Sequence, residues 1–222
     1  MLMAEQIQAK QSEYATLSQS LDRTFPARVV KQKSDENLTE EMLSEKFNKI
    51  ERQRQRLIEV GLLNDETSDF ELGQNIDPNT KQILSVYLED VDKKLSVFQE
   101  LTRKIELFQK IIATKFQYKH MHISKDKGFT FTTHEGNPLA PTYLSSGEQH
   151  ELVMLYELLF QVKPNSLILI DEPELSLHVG WQVEFLEDLQ QIAQLGNFDV
   201  LMATHSPSLI DDRWDLTVAL KG

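Results

Sequence analysis

Ser166-Leu167-Ile168-Leu169-Ile170-Asp171-Glu172-Pro173-Glu174 leaves this chain the fewest options for its fold. Four consecutive aliphatic residues that end in adjacent carboxylates read as a buried strand of a parallel sheet. Such a strand delivers Asp171 and Glu172 to the C-terminal edge, where α/β sheets place their ligands. Two carboxylates at one strand tip repel each other unless a cation or polar substrate lies between them. Phosphoryl transfer uses this arrangement, with one carboxylate in the Mg2+ shell and its neighbour orienting a water.

Two flanking stretches point to the same edge. Upstream, Leu144-Ser145-Ser146-Gly147-Glu148-Gln149 opens a helix whose apolar positions are Leu152, Leu155, Leu158 and Leu159. Ser and Gly at a helix start leave backbone N–H groups and a positive dipole end facing an anion, typically phosphate. Downstream, the strand Val200-Leu201-Met202-Ala203-Thr204 exits into His205-Ser206-Pro207. Each piece alone has a commoner explanation: Ser-Ser-Gly is usually a helix cap, and a lone His is more often structural. Their order and spacing make coincidence a poor account.

These residues resemble the ABC-type ATPases over roughly residues 118 to 222. Leu144 to Gln149 looks like the signature motif, Leu167 to Glu172 like the Walker B strand with its catalytic Glu, and Thr204-His205-Ser206 like the switch (H-loop) histidine. Glu174-Leu175-Ser176-Leu177-His178 takes the D-loop position in the form of the SMC, recombination-repair and overcoming-lysogenisation-defect (OLD) branch. The resemblance implies ATP and Mg2+ as cofactors. Asp171 would support Mg2+ through its water shell, Glu172 would polarise the attacking water, and His205 would contact the γ-phosphate. Ser145, Ser146, Gly147 and Glu148 would meet a nucleotide held by a second ATPase head, identical or different, and Ser176 and His178 would line the head-to-head interface. Ser146 replaces a signature glycine and His178 stands where transporters have Asp, so transporter-like coupling is not implied.

The sequence contains no P-loop GxxxxGK[ST]. Its eight glycines (61, 73, 128, 136, 147, 180, 196 and 222) include no Gly-Lys-Ser or Gly-Lys-Thr, so nothing can wrap the β- and γ-phosphates in the usual way. The expectation is an α/β fold: the C-terminal part of a P-loop NTPase (ABC ATPase head), with a parallel sheet, a β-hairpin and an N-terminal helical, coiled-coil-like arm. The P-loop half would be a missing piece of the same polypeptide or a separate subunit, and this chain alone would be inactive. A sheet short of strands would expose edges and an apolar face.

Composition narrows the partners. A chain of 222 residues can bury one good core with room for an extension. A net charge of −12 does not advertise broad nucleic-acid binding, so DNA is an unsupported partner. A nuclease or other effector remains a partner on resemblance alone. The absence of cysteine removes disulfides, thiolate metal sites and a Cys nucleophile. With no signal pattern and no membrane-length apolar run, a cytoplasmic protein without membrane contact is expected.

Residues 1 to 118 are expected to form the helical arm and 119 to 222 the ATPase lobe. Met3, Ile7, Tyr14, Leu17 and Leu21 predict a first helix that Phe25-Pro26 ends. Arg28 to Lys33 reads as a short strand or a connector, with a solvated loop the commoner outcome for a short basic run. Asn37 or Thr39 caps a second helix bearing Leu43, Phe47, Ile50 and Leu57, which Gly61 stops. Arg52, Arg54 and Arg56 spread around it as a solvated face. One long helix from about Asn79 to Tyr118 carries Leu84, Leu88, Val91, Leu95, Phe98, Leu101, Ile105, Phe108, Ile112 and Phe116, close to a coiled-coil seam. Met121 to Ile123 and Phe129 to Thr132 predict a hairpin turning at Lys125-Asp126-Lys127-Gly128. His120, His122 and His134 near it favour surface roles over a metal site. A helix from Val179 to Leu195, a short helix after Ser206 and a last strand from Leu216 to Leu220 complete a right-handed α/β pattern. A non-catalytic module that docks on another ATPase head is the competing reading. The missing P-loop favours it, and the intact Asp171-Glu172 and His205 oppose it.

Overall fold

The computed structural model describes residues 2–32, 38–65, 73, 76–124, 128–175 and 177–218. The chain divides into two compact units, residues 1–102 with 123–129, and residues 103–122 with 130–222.

The first unit is built on helices α1 (Leu2–Lys31), α2 (Glu40–Glu59) and α3 (Pro78–Ser96). α3 packs against both α1 and α2. Thr39 caps α2, its side chain accepting from the Met42 N–H, and Leu43, Ile50 and Leu57 are buried along it. Asp77 caps α3 with Pro78 in the first turn, where a missing N–H costs nothing. Gly61 follows α2 at φ +74°, and a Cβ there would lie 2.2 Å from the Ile123 carbonyl oxygen. Only glycine fits that close approach of two backbones.

Two expectations fail in this unit. Pro26 lies inside α1, which continues to Lys31. An interior proline costs about 3 kcal/mol, and tertiary anchors beyond it offset the loss. The Arg28 guanidinium pairs in bidentate fashion with Asp90, which is 3 % exposed, and Arg28 Nη2 also donates to the Leu21 carbonyl at 2.9 Å. Arg28 is therefore a tie between α1 and α3, not part of a solvated connector. The expected long helix is also two: α3 ends at Ser96, and α4 runs Gln99–Lys115. The apolar stripe shows why. Leu95, Phe98 and Leu101 are two successive steps of three, which overwinds a helix. There the Phe98 N–H bonds the Leu95 carbonyl at 3.1 Å, the tighter i→i+3 pattern.

The second unit holds α5 (Ser146–Phe160), β4 (Leu167–Asp171), α6 (Val179–Gly196), β5 (Asp199–Ala203) and α7 (Pro207–Ile210). Strands β1 (Lys119–Ser124), β2 (Gly128–Thr133) and β3 (Pro138–Leu139) form a separate sheet in that order. Residues 125–127 of the expected hairpin turn lie outside the described residues. Phe108 packs edge-on to Phe160, and Phe116 stacks on both Phe131 and Trp181. Each of the four buried phenylalanines contributes about 1.5–3 kcal/mol.

β4 and β5 pair in parallel, from Leu167↔Asp199 to Asp171↔Ala203. A clasp sets this register. Asn165 and Asn197 both adopt left-handed φ, and they are joined by a 2.7 Å backbone bond and a 3.0 Å side-chain bond. Asparagine tolerates that conformation better than most residues. Contrary to the expectation of a buried strand, burial alternates: Leu167, Leu169 and Leu201 are 61, 70 and 63 % exposed. A parallel strand is buried on both sides only when layers cover both faces, and among the described residues the sheet has two strands with one face open. At the C-terminal end, Trp214–Leu216 form a 3-10 turn rather than the start of a strand; residues 219–222 lie outside the described residues.

Candidate functional site

The carboxylate cluster grows out of the tip of β4. Asp171 is the last strand residue, and Glu172 stands at φ +45° with its N–H bonded to the Ala203 carbonyl at 2.9 Å. A left-handed backbone at a long side chain costs on the order of 1–3 kcal/mol. The ladder bond holds the residue there, and Pro173 opens a 3-10 turn immediately after it. Strain at the strand tip turns Glu172 outward, half-exposed at 41 %. Its Oε1 lies 3.6 Å from His205 Nε2, and the His205 ring is 91 % exposed. The structure thus brings Asp171, Glu172 and His205 to one edge, where the two parallel strands end.

Glu174 completes this edge, and the sequence reading assigned it no role beyond its place in the D-loop-like run. Its Oε1 accepts the His205 N–H at 2.8 Å, while its buried Oε2 makes no hydrogen bond of good geometry. Burial pushes the Glu174 carboxyl up. The N–H groups of Glu174, His205 and Ser206, with the Thr204 hydroxyl, outweigh it and hold the carboxyl below its ordinary value. The Ser206 hydroxyl donates to Gln182 of α6 at 2.9 Å.

The Ser145–Glu148 stretch forms a second cluster at the start of α5. The Ser145 and Glu148 side chains cap each other. The Glu148 N–H donates to Ser145 Oγ at 3.3 Å, while Glu148 Oε2 accepts from the Ser145 N–H at 2.8 Å and its hydroxyl at 2.9 Å. This capping box leaves the N–H groups of Ser146 and Gly147 ahead of the first helical bond, which runs from Gln149 N to Ser145 O. Glu148 is buried and turned inward, so it shapes the turn. Lys119 of β1 pairs with its Oε1. Burial raises the Glu148 carboxyl, but Lys119 and the Ser145 donors prevail and lower it. Gln149 adds two clamps, donating to the carbonyls of Leu144 at 2.8 Å and Thr142 at 3.2 Å. Lys119 carries no recognisable spacing that would announce its pairing with Glu148.

Ser176 lies outside the described residues. His178 is the N-cap of α6, its Nδ1 accepting from the Gly180 N–H at 3.2 Å, with its ring 5.5 Å from Trp181. Among the described residues, no three His, Cys, Asp or Glu side chains converge on one point as a metal cage. Mg2+ does not need one. It keeps several waters and takes one or two carboxylates together with phosphate oxygens, a donor set that Asp171 and Glu172 fit. His122 bonds Thr132 across β1 and β2, and His120 lies 6.0 Å from His134.

A parallel strand pair that ends in two carboxylates and a histidine is an arrangement that nucleotide-binding, ATPase-like α/β domains use. Residues 8–211 match the family described as "AAA domain, putative AbiEii toxin, Type IV TA system", and the chain belongs to that AAA domain family. No curated protein matches the chain. Among the described residues, no helix is long and apolar enough to cross a membrane.

Proposed function

We propose that the chain is the part of an ABC-type ATPase of the OLD/SMC-like branch that completes a nucleotide site whose phosphate loop comes from elsewhere. ATP is sandwiched between two heads and hydrolysed to ADP and phosphate, and the change in head pairing switches an effector, such as a nuclease, or clamps DNA. One observation carries this reading: Glu172, held at a strained left-handed φ within 3.6 Å of His205, beside Asp171 at the tips of two parallel strands. Strain of this kind persists where the arrangement is used.

In the mechanism, Mg2+ supplies charge neutralisation of the phosphate oxygens when bound. Asp171 would hold the Mg2+, Glu172 accepts the proton of the attacking water, and His205 senses the terminal phosphate. The N–H groups of Ser146 and Gly147 face a phosphate across the head interface, with Ser145 and Glu148 shaping their turn. The neutral pairing of Glu148 with Lys119 keeps a buried carboxylate from repelling that anion. The exposed Leu167, Leu169 and Leu201 are the surface that the remaining sheet layer, or the P-loop-bearing partner, covers. In the complete assembly, Glu172→Gln lowers ATP turnover at least about a hundredfold, the scale of a lost general base, while nucleotide-bound pairing of heads survives. Turnover at the wild-type rate by this variant sinks the assignment.

The second reading is a non-catalytic module that docks on another ATPase head. The same exposed sheet face favours it. It is the better account if Glu172→Gln and His205→Ala change nothing while docking persists.

A further inference from the structure

His205 poses a positioning problem. Its ring is 91 % exposed, so packing cannot hold it, and at 3.6 Å its contact with Glu172 is too long for a hydrogen bond. The ring's place is therefore set by the backbone of the turn after β5. Glu174, two residues beyond Glu172, grips that turn. Its Oε1 accepts the His205 N–H at 2.8 Å, and the Ser206 N–H bonds Thr204 Oγ1 at 3.0 Å within the same turn. The other end of the tether is rigid. Pro173 fixes φ, the Leu175 N–H bonds the Glu172 carbonyl at 3.1 Å, and the Leu177 N–H bonds the Glu174 carbonyl at 3.3 Å. Gln182 adds a separate hold through the Ser206 hydroxyl at 2.9 Å.

We propose that Glu174 is a positioning residue that locks the His205 turn to the Glu172 turn, so that phosphate sensor and water-activating carboxylate move as one piece. This rests on the reading of Asp171 and Glu172 as the cation-linked end of a nucleotide site. A carboxylate placed only to stabilise the turn gains nothing from leaving Oε2 buried without a well-formed bond, which carries a desolvation cost. Charge is what the backbone donors require, since charge-assisted bonds are roughly twice as strong as neutral ones. The geometry couples the two loops through one side chain, and shortening that side chain uncouples them while leaving both loops in place.

The test uses the full 222-residue chain, labelled with 15N, and Mn2+ as the probe in place of Mg2+. In the wild type, Mn2+ broadens the amides of Asp171, Glu172 and His205 together. In Glu174→Ala, broadening persists at 171 and 172 and falls several-fold at His205. Without metal, amide exchange at His205 and Ser206 accelerates on the order of tenfold or more, the scale of one lost charged hydrogen bond, with the rest of the chain unchanged. Glu174→Gln, which keeps an acceptor of the same length without the charge, restores both signals in part. Glu174→Asp is one methylene shorter, behaves like Glu174→Ala, and serves if the alanine variant does not fold. A merely stabilising residue moves exchange throughout the unit, not at two amides. Wild-type exchange and broadening at His205 in both short variants overturn the proposal and leave the site reading standing. Failure of Mn2+ to broaden 171 and 172 in the wild type overturns the carboxylate site itself, and the proposal falls with it.

Discussion

Replacing Lys115 with Met tests how the second unit tolerates buried charge. Lys115 at the end of α4 contacts Glu151 of α5 and Asp188 of α6, at 2.8 Å for Asp188. The Lys115 and Glu151 side chains are 0 % exposed and Asp188 is 16 % exposed. Removing the cation leaves two carboxylates without a counter-charge, and breaking a buried pair from one side costs about 3–5 kcal/mol. Residual exposure of Asp188 and protonation of Glu151 soften the loss, so about 3 kcal/mol at neutral pH is expected. Burial already raises the Glu151 carboxyl above its ordinary 4.5, against the pull of Lys115. A folded value raised above the unfolded one means that stability falls as pH climbs from 4.5 through the folded value. Without Lys115 the folded value climbs further, so the deficit of the Met variant shrinks on acidification toward 4.5. Urea unfolding of wild type, Lys115→Met, Glu151→Leu and the double variant, from about pH 5 to about pH 8, measures this, with equal m-values licensing the comparison. The double variant should recover part of the loss, because it removes the fully buried carboxylate and leaves only Asp188, 16 % exposed, without its cation. A Lys115→Met deficit below about 0.5 kcal/mol at neutral pH, or one that does not shrink with acid, refutes the argument.

Two further outcomes follow from single contacts. Lys119→Met should destabilise the chain by about 1–3 kcal/mol above pH 4.5, since it takes a charged partner from the half-exposed rim of a buried carboxylate. Glu148 is held below its ordinary value, so its contribution is present above 4.5 and lost as pH falls through the folded value. The difference between variant and wild type should therefore close in acid, as read by denaturant midpoints. Gly61→Ala should cost about 2 kcal/mol or more, combining a left-handed residue with a Cβ only 2.2 Å from the Ile123 carbonyl oxygen. A thermal midpoint equal to wild type would show that α2 ends by some other means.

Local patterns carried most of what the sequence made legible. The Asp171-Glu172 strand tip, the Ser145 cap and the exit of β5 at His205 each follow from a short run of residues, and the structure places the first and third together. The break between α3 and α4 was also written in the stripe, as the double step of three at Leu95, Phe98 and Leu101. A heptad-like average hides one irregular step, so the stripe as a whole still reads as a seam. Pro26 shows the opposite limit. Its local rule is sound, but a bidentate ion pair to Asp90, 62 positions along the chain, reverses the outcome, and no spacing announces such a partner.

The same limit explains the charges that went unread. Lys115, Lys119, Glu151 and Glu174 look like ordinary surface residues in a chain that is 26 % charged. Specific partners are what separate them from the rest, and those partners are decided by which elements meet. A buried charge is tolerated only with its partner, so each is a record of tertiary contact: α4 to α5 and α6, β1 to α5, and the turn after β4 to the turn after β5. The exposed leucines of β4 and β5 record the reverse: their aliphatic runs read as strands covered on both sides, and among the described residues one face of the sheet is open.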